Sequence, residues 1–262
     1  MDDRACEAVL QSEFRDGVAV LALNRPRQYN ALSSALLAAL HQRLDAIATD
    51  ETVRVVMITG RGGAFCSGHD LKEMRALGSR GEIQALFDSC AAMMQKLIAL
   101  PQPVIAVVNG MATAAGCQLV AQCDLAVAAQ HARFAASGIN LGLFCSTPAV
   151  SLSRNLGRKH AAEMLFTGEF IDAETALEWG LLNRVAPEDR LMETAHELAN
   201  NLKSKPREAL ALGKALFYRQ LEAGIADAYR DASATIAGNM DTDLAREGVD
   251  AFFDKRTPRW KP

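Results

Sequence analysis

Up to Leu141, short unbroken apolar runs alternate along the chain with longer stretches of helical spacing. Beyond it, the helical spacing dominates. Val18–Leu23 is a buried-strand run ending in Asn-Arg-Pro. Segment 32–48 repeats apolar residues every three or four positions, with Ser33 or Ser34 as N-cap. Segment 53–59 is a β-branched strand closed by Gly60-Arg-Gly-Gly, and 84–100 is a long helix stopped by Pro101. Val104–Val108 and 125–128 are further buried strands. This alternation predicts an α/β layered core with ligand loops at strand ends.

After Leu141, segments 147–156, 159–166, 173–179, 190–204, 206–223, 227–239 and 243–253 read as helices without strands of their own. Such helices must bury their apolar stripes on the core or on another subunit. No linker, repeat or low-complexity tract divides the chain. One domain is expected, with residues 1–200 as its core and 201–262 as a helical C-terminal oligomerisation region.

The chain has 262 residues, half of them apolar and 23% charged, with a formal net charge of −3 and no Lys/Arg block. That balance suits a folded globular protein and speaks against nucleic acid or an anionic membrane surface as partner. Pro101, Asn109 and Gln118 interrupt the most apolar stretch before it reaches the roughly 18 residues of a membrane span. The start, Met-Asp-Asp-Arg-Ala-Cys-Glu, lacks a secretory pattern and is too acidic for a transit peptide, so a cytoplasmic protein is expected, or an already processed organellar form. The six cysteines (6, 66, 90, 117, 123, 145) form no CxxC pair and no zinc-spaced Cys/His cluster. Reduced, packed thiols and no metal are expected.

Two segments carry the candidate chemistry. Ala64-Phe-Cys-Ser-Gly-His-Asp-Leu-Lys72 follows the 53–59 strand and a glycine-rich loop. Ala114-Ala-Gly-Cys117 opens a helix after Val104–Val108. Strand-to-helix turns built of small residues expose backbone N–H groups, and two together could polarise one carbonyl oxygen. Gln118, one turn into the second helix, stands where proton chemistry would be well placed, yet an amide does not titrate.

Asn24-Arg-Pro, Asn30-Ala-Leu32, Phe65-Cys-Ser-Gly-His-Asp-Leu-Lys-Glu73, Pro103-Val-Ile-Ala-Val-Val-Asn-Gly110, Gly116-Cys-Gln-Leu119, Cys123-Asp124 and Phe252-Phe-Asp-Lys-Arg-Thr-Pro258 occur in order over residues 15 to 260. Together they resemble the crotonase (enoyl-CoA hydratase/isomerase) superfamily. Ala112-Thr-Ala-Ala-Gly-Cys-Gln-Leu-Val-Ala121 and Gly142-Leu-Phe-Cys-Ser-Thr-Pro148 are similar to one branch of it.

The resemblance implies a crotonase-like spiral of ββα units with a helical C-terminal extension, a homotrimer or dimer of trimers, and an acyl-CoA ligand. It puts oxyanion-hole N–H groups at His69 and Ala115 and lays coenzyme A along His69, Asp70, Leu71 and Lys72, with Phe252 and Lys255 contributing at a subunit boundary. Coenzyme A enters as part of the substrate, so no resident cofactor is implied.

Family hydratases hold one water between two glutamates. Here those positions are Gln118 and, by alignment, Gly138. Gln118 could still position a water, but the two-glutamate hydration mechanism does not follow. An enoyl-CoA hydratase-like protein of weak or altered activity is expected, or a non-catalytic acyl-CoA-binding regulatory oligomer.

Other side chains have two readings each. His69 could titrate near neutrality, although the family uses its backbone. Asp70 is more simply a helix cap, and Asp124 a structural hydrogen bond. Cys145, Ser146 and Thr147 could supply a nucleophile or merely pack and cap. Lys72 and Lys255 could meet phosphates or only water.

Overall fold

The computed structural model describes residues 9–260. Strand β1 (Leu10–Arg15) pairs antiparallel with β2 (Val18–Leu23) through Asp16 and Gly17, both at positive φ, as a tight hairpin of this twist requires. Helix α1 (Ser34–Thr49) follows, capped by the Ser33 hydroxyl, which accepts the Leu36 N–H.

Three strand pairs then build the spiral. They are β3 (Val55–Gly60) with β4 (Ala64–Cys66), β5 (Val104–Val108) with β6 (Met111–Thr113), and β7 (Leu125–Ala129) with β8 (Arg133–Ala135). Between the first two pairs lie α2 (Leu71–Ala76) and α3 (Arg80–Ala99), and α4 (Ala115–Gln122) follows the second. After the third come α5 (Ser146–Asn155), α6 (Arg158–Thr167), β9 (Ile171–Asp172), α7 (Ala173–Glu178) and β10 (Arg184–Ala186). Helices α8 (Leu191–Lys203), α9 (Arg207–Leu221), α10 (Ile225–Met240) and α11 (Asp243–Phe253) close the chain.

The first strand of each pair enters a six-stranded sheet of order β1-β2-β3-β5-β7-β10, and the second enters a four-stranded sheet of order β4-β6-β8-β9. All neighbours in the larger sheet are parallel except β1 with β2. Its two faces carry separate cores. Leu21, Ile58, Ala106 and Ala128 join α1 and α3 on one side, and Val55, Met57, Ile105 and Val127 meet Leu191, Ala195 and Ala199 of α8 on the other. Burial on both faces is why β3 and β5 are continuous apolar runs rather than alternating ones.

The expectation of strandless helices after Leu141 is corrected, since β9 and β10 extend the two sheets. No helix among the described residues is long and apolar enough to cross a membrane.

Asp124 has the structural role expected of it, with partners the sequence did not indicate. Its carboxylate accepts the Val104 N–H at 2.6 Å, the Lys214 ammonium at 2.6 Å and the Tyr218 hydroxyl at 2.8 Å. Lys214 also donates to the Leu97 and Gln102 carbonyls, so α9 is tied to the edge of the core by a buried cation.

Candidate functional site

The turn after β4 is pinned on one side by Leu32. Leu32 N–H donates to the Gly68 carbonyl at 2.8 Å and the Asp70 N–H donates back to the Leu32 carbonyl at 3.3 Å, a parallel bridge centred on His69. In such a bridge the central residue turns its own N–H to the opposite side. The His69 N–H accordingly has no acceptor among the described residues.

What lies beside that turn is the start of α4. A Cβ added to Gly68, at φ +91°, would stand 2.9 Å from the Ala114 Cβ and 3.2 Å from the Ala115 nitrogen. Behind them a Cβ on Gly116 would meet the Cys66 carbonyl oxygen at 2.0 Å, so only glycine lets α4 approach β4 this closely. Ala114 holds φ 49° and ψ −121°, a strained conformation for a residue with a side chain. Its N–H is used by the Ala135 carbonyl at 2.9 Å and its carbonyl accepts the Gln118 N–H at 3.0 Å. Ala115 is the first residue of the helix, where an N–H has no intrahelical acceptor. Two unused backbone donors therefore flank one contact between turns.

The side chains nearby are also unsatisfied. Both ring nitrogens of His69 and the Oε1 of Gln118 are buried without a hydrogen-bond partner. Gln118 is 4% exposed. The His69 ring meets Phe87 edge-on at 5.0 Å. Burial holds its pKa below the ordinary histidine value, with the Leu32 carbonyl and Glu73 carboxylate pulling the other way. The neutral imidazole is favoured.

Asp70 is fully engaged elsewhere. Its carboxylate accepts the Lys72 and Glu73 N–H groups, capping α2, and takes a 2.8 Å hydrogen bond from Arg25. Arg25, whose other amino group donates to the Ala31 carbonyl, is the main reason the Asp70 pKa is lowered. Leu71 and Lys72 begin α2 with exposed side chains.

Gly138 lies in the short 3-10 turn Ser137–Leu141, before α5. A Cβ there would stand 2.6 Å from the Leu143 carbonyl oxygen and 2.8 Å from the Cys145 sulfur. The Gly138 N–H donates to that sulfur at 3.3 Å. Cys145 is thus a packed thiol, its pKa raised by burial, and it precedes α5 without a side-chain capping bond.

The thiols of Cys66, Cys90 and Cys117 are likewise buried and pushed up to about 12 by burial, while Cys6 lies outside the described residues. Phe252 is 78% exposed near the end of α11. Lys255 follows it at φ 53°, so in one chain Phe252 is not packed against the two turns.

The structure brings together Gly68, His69, Ala114, Ala115 and Gly116. Sequence reasoning missed Arg25, Phe87 and the strain at Ala114. Only Arg25 had a signal, its place in the Asn-Arg-Pro motif.

The family model described as enoyl-CoA hydratase/isomerase matches residues 13–262. Rat enoyl-CoA hydratase domain-containing protein 3, mitochondrial, is 46% identical over 246 residues, 94% of this chain and 82% of that protein. A crystal structure described as an enoyl-CoA hydratase of Mycobacterium smegmatis is 55% identical, with a TM-score of 0.94 over 96% of this chain and 98% of that one. The crystal structure of human enoyl-CoA hydratase domain-containing protein 3 is 43% identical, with a TM-score of 0.90 over 96% and 100%. The branch to which the 112–121 and 142–148 segments are similar is thus that of domain-containing protein 3.

The rat, mouse, frog and human relatives are named mitochondrial, which overturns the cytoplasmic expectation. That expectation rested on the first seven residues, which lie outside the described ones. A match across almost the whole length, with the ββα spiral beneath it, means that the chain belongs to the enoyl-CoA hydratase/isomerase family.

Proposed function

We propose that the chain binds an acyl-CoA thioester, whose carbonyl oxygen accepts hydrogen bonds from the backbone N–H groups of His69 and Ala115. The observation that carries this reading is the contact between the two turns, with a free donor on each side of it. Preorganised donors of this kind stabilise the enolate that forms when charge moves onto the thioester oxygen. Coenzyme A arrives with the substrate and runs along His69, Asp70, Leu71 and Lys72.

Hydration needs a base for water and an acid for the α-carbon. Gln118 orders a water through its amide but takes no proton. Position 138 supplies no carboxylate, and the Leu143 carbonyl with the Cys145 sulfur fills the space its Cβ would need. The protein is accordingly an enoyl-CoA hydratase-like enzyme of weak or altered activity. That filling also favours the second reading, a non-catalytic acyl-CoA-binding regulatory oligomer.

Assembly as a homotrimer or dimer of trimers is part of this reading. Phe217, Ile225, Tyr229, Ile236 and Phe253 of the C-terminal helices are all more than half exposed, a face that suits a subunit boundary to which Phe252 and Lys255 contribute.

Calorimetry with butyryl-CoA and a hydration assay with crotonyl-CoA test the proposal. Acyl-CoA binding with slow hydration that Gln118→Glu accelerates is the expected result. Fast hydration by the wild type refutes the inference from the missing carboxylates, and no binding of any CoA species sinks the acyl-CoA reading.

A further inference from the structure

One guanidinium stands behind the His69 donor, joined to it by consecutive hydrogen-bonded peptides. Arg25 donates through one amino group to the Ala31 carbonyl at 2.6 Å. The N–H of that same peptide, on Leu32, donates to the Gly68 carbonyl at 2.8 Å. The carbonyl and N–H of a trans peptide point in opposite directions. The chain of donors therefore runs from Arg25 through the Ala31–Leu32 and Gly68–His69 peptides. It ends at the His69 N–H, which has no acceptor among the described residues.

We propose that Arg25 polarises the His69 N–H through these two peptides and so strengthens its hydrogen bond to the thioester oxygen. The inference rests on the reading that the His69 and Ala115 N–H groups hold that oxygen. Arg25 acts through the backbone and is a positioning residue.

Hydrogen bonds in a chain polarise one another, and a cation at the head drives the polarisation one way. A guanidinium keeps its charge at any working pH. The first peptide of the relay is shielded from water, since Leu32 is fully buried and Ala31 nearly so. Buried Asn30 fixes where the arginine starts. Its side chain accepts the Arg25 N–H at 2.9 Å and donates to the Arg61 and Ala64 carbonyls. Asp70, 2.8 Å from the other amino group, offsets part of the charge.

The two donors of the site thus draw on different sources. Ala115 opens the eight-residue α4, whose dipole favours negative charge at its start. His69 lies two positions before α2, which has only six residues. The guanidinium gives the His69 side a positive potential of its own.

Isotope-edited infrared spectroscopy of butyryl-CoA, labelled at its thioester carbonyl and bound to the whole chain, tests this. A stronger donor lowers the carbonyl stretching frequency, so the wild type should lie below the free ligand. Arg25→Met/Asp70→Asn removes the cation without orphaning the carboxylate. Its frequency should move back toward the free value, with butyryl-CoA bound about twofold to tenfold more weakly by calorimetry. Arg25→Lys, which keeps the charge, should stay near the wild type. Asp70→Asn alone leaves the cation unopposed and should lie below the wild type.

A purely structural ion pair predicts that Asp70→Asn and the double variant move together, because both break the pair. Equal frequencies in those two overturn the inference and leave the thioester site in place. Should the double variant fail to fold, an Asp70→Asn frequency at or above the wild-type value overturns it equally. A wild-type frequency that is not lowered, or no binding at all, overturns the thioester reading itself, and this inference with it.

Discussion

The Gly138 N–H donates to the Cys145 sulfur at 3.3 Å, and a Cβ on Gly138 would stand 2.8 Å from that same sulfur. The loop from 142 to 145 has therefore closed onto the backbone at 138. A carboxylate placed at 138 would have to displace it.

Restoring the second glutamate should accordingly damage the fold before it helps chemistry. Gly138→Glu forces the Leu143 carbonyl, 2.6 Å from the new Cβ, and the Cys145 sulfur to move, an overpacking penalty of about 1–3 kcal/mol. Thermal denaturation should show a midpoint several degrees below wild type, roughly 2–4 °C per kcal/mol for a chain of this size. Adding Cys145→Ala should recover part of the loss, because the sulfur yields and the carbonyl does not. An unchanged midpoint for the single variant refutes the closed-loop account.

Ala114 predicts the opposite sign from an ordinary alanine. Ala→Gly in a helix or strand interior costs about 0.5–1 kcal/mol. Ala114 already holds φ 49° and ψ −121°, where a side chain costs on the order of 1–3 kcal/mol. Ala114→Gly should therefore leave stability unchanged or raise it by about 1 kcal/mol, measured by urea denaturation. A loss above about 1 kcal/mol would mean that the methyl contact against Gly68 outweighs the strain.

The long elements of this fold were legible because periodicity needs length. Segments 53–59 and Val104–Val108 announced β3 and β5, and the long helices were found within a few residues of their ends. Strands β4, β6 and β8 have three residues each, too few to show a period of two, and pairing across the chain alone defines them. β1 was missed because Leu10–Arg15 is mostly polar, with only Leu10 and Phe14 apolar, although Asp16-Gly17 is a strong hairpin signal.

At the site, the turns were visible as small-residue segments. Small residues report that backbones approach, and say nothing of which N–H is left over. The free donor at His69 follows from its bridge to Leu32, 37 positions earlier, and no local pattern carries that. Asp124 was correctly read as structural, but its cation lies 90 residues away on α9, in a helix with no other mark of burial.

That cation gives a prediction about how the C-terminal helices are attached. Lys214 and Asp124 are nearly enclosed, with side-chain exposures of 7% and 15%. Burial lowers the Lys214 pKa and the neighbouring carboxylate opposes the shift. Lys214→Met leaves the Asp124 charge buried with only the Val104 N–H and the Tyr218 hydroxyl. The cost should be about 3–5 kcal/mol, or a midpoint lower by on the order of 10 °C. The double variant Lys214→Met/Asp124→Asn should be less destabilised than the sum of the two singles. Additivity of the two losses would show that the pair is not coupled.

His69 predicts how stability depends on pH. Burial lowers its folded pKa below the unfolded value of 6.5, so the folded chain resists taking a proton that the unfolded chain accepts. Above pH 6.5 both states are neutral and His69 contributes no pH dependence. As pH falls through 6.5 toward the folded pKa, the unfolded state binds the extra proton and the folded state loses stability, with a slope of up to about 1.4 kcal/mol per pH unit. Asp70 acts in a separate window, because its lowered pKa stabilises the fold above 3.8 and that contribution is lost only in stronger acid. Between pH 7 and 5 the unfolding free energy of the wild type should therefore decline more steeply than that of His69→Phe. Once the pH has dropped below the lowered folded pKa of His69, the two curves should fall in parallel. Parallel curves from pH 7 downward would mean that the imidazole gains a proton as readily in the fold as outside it, and the buried neutral ring would have to be abandoned.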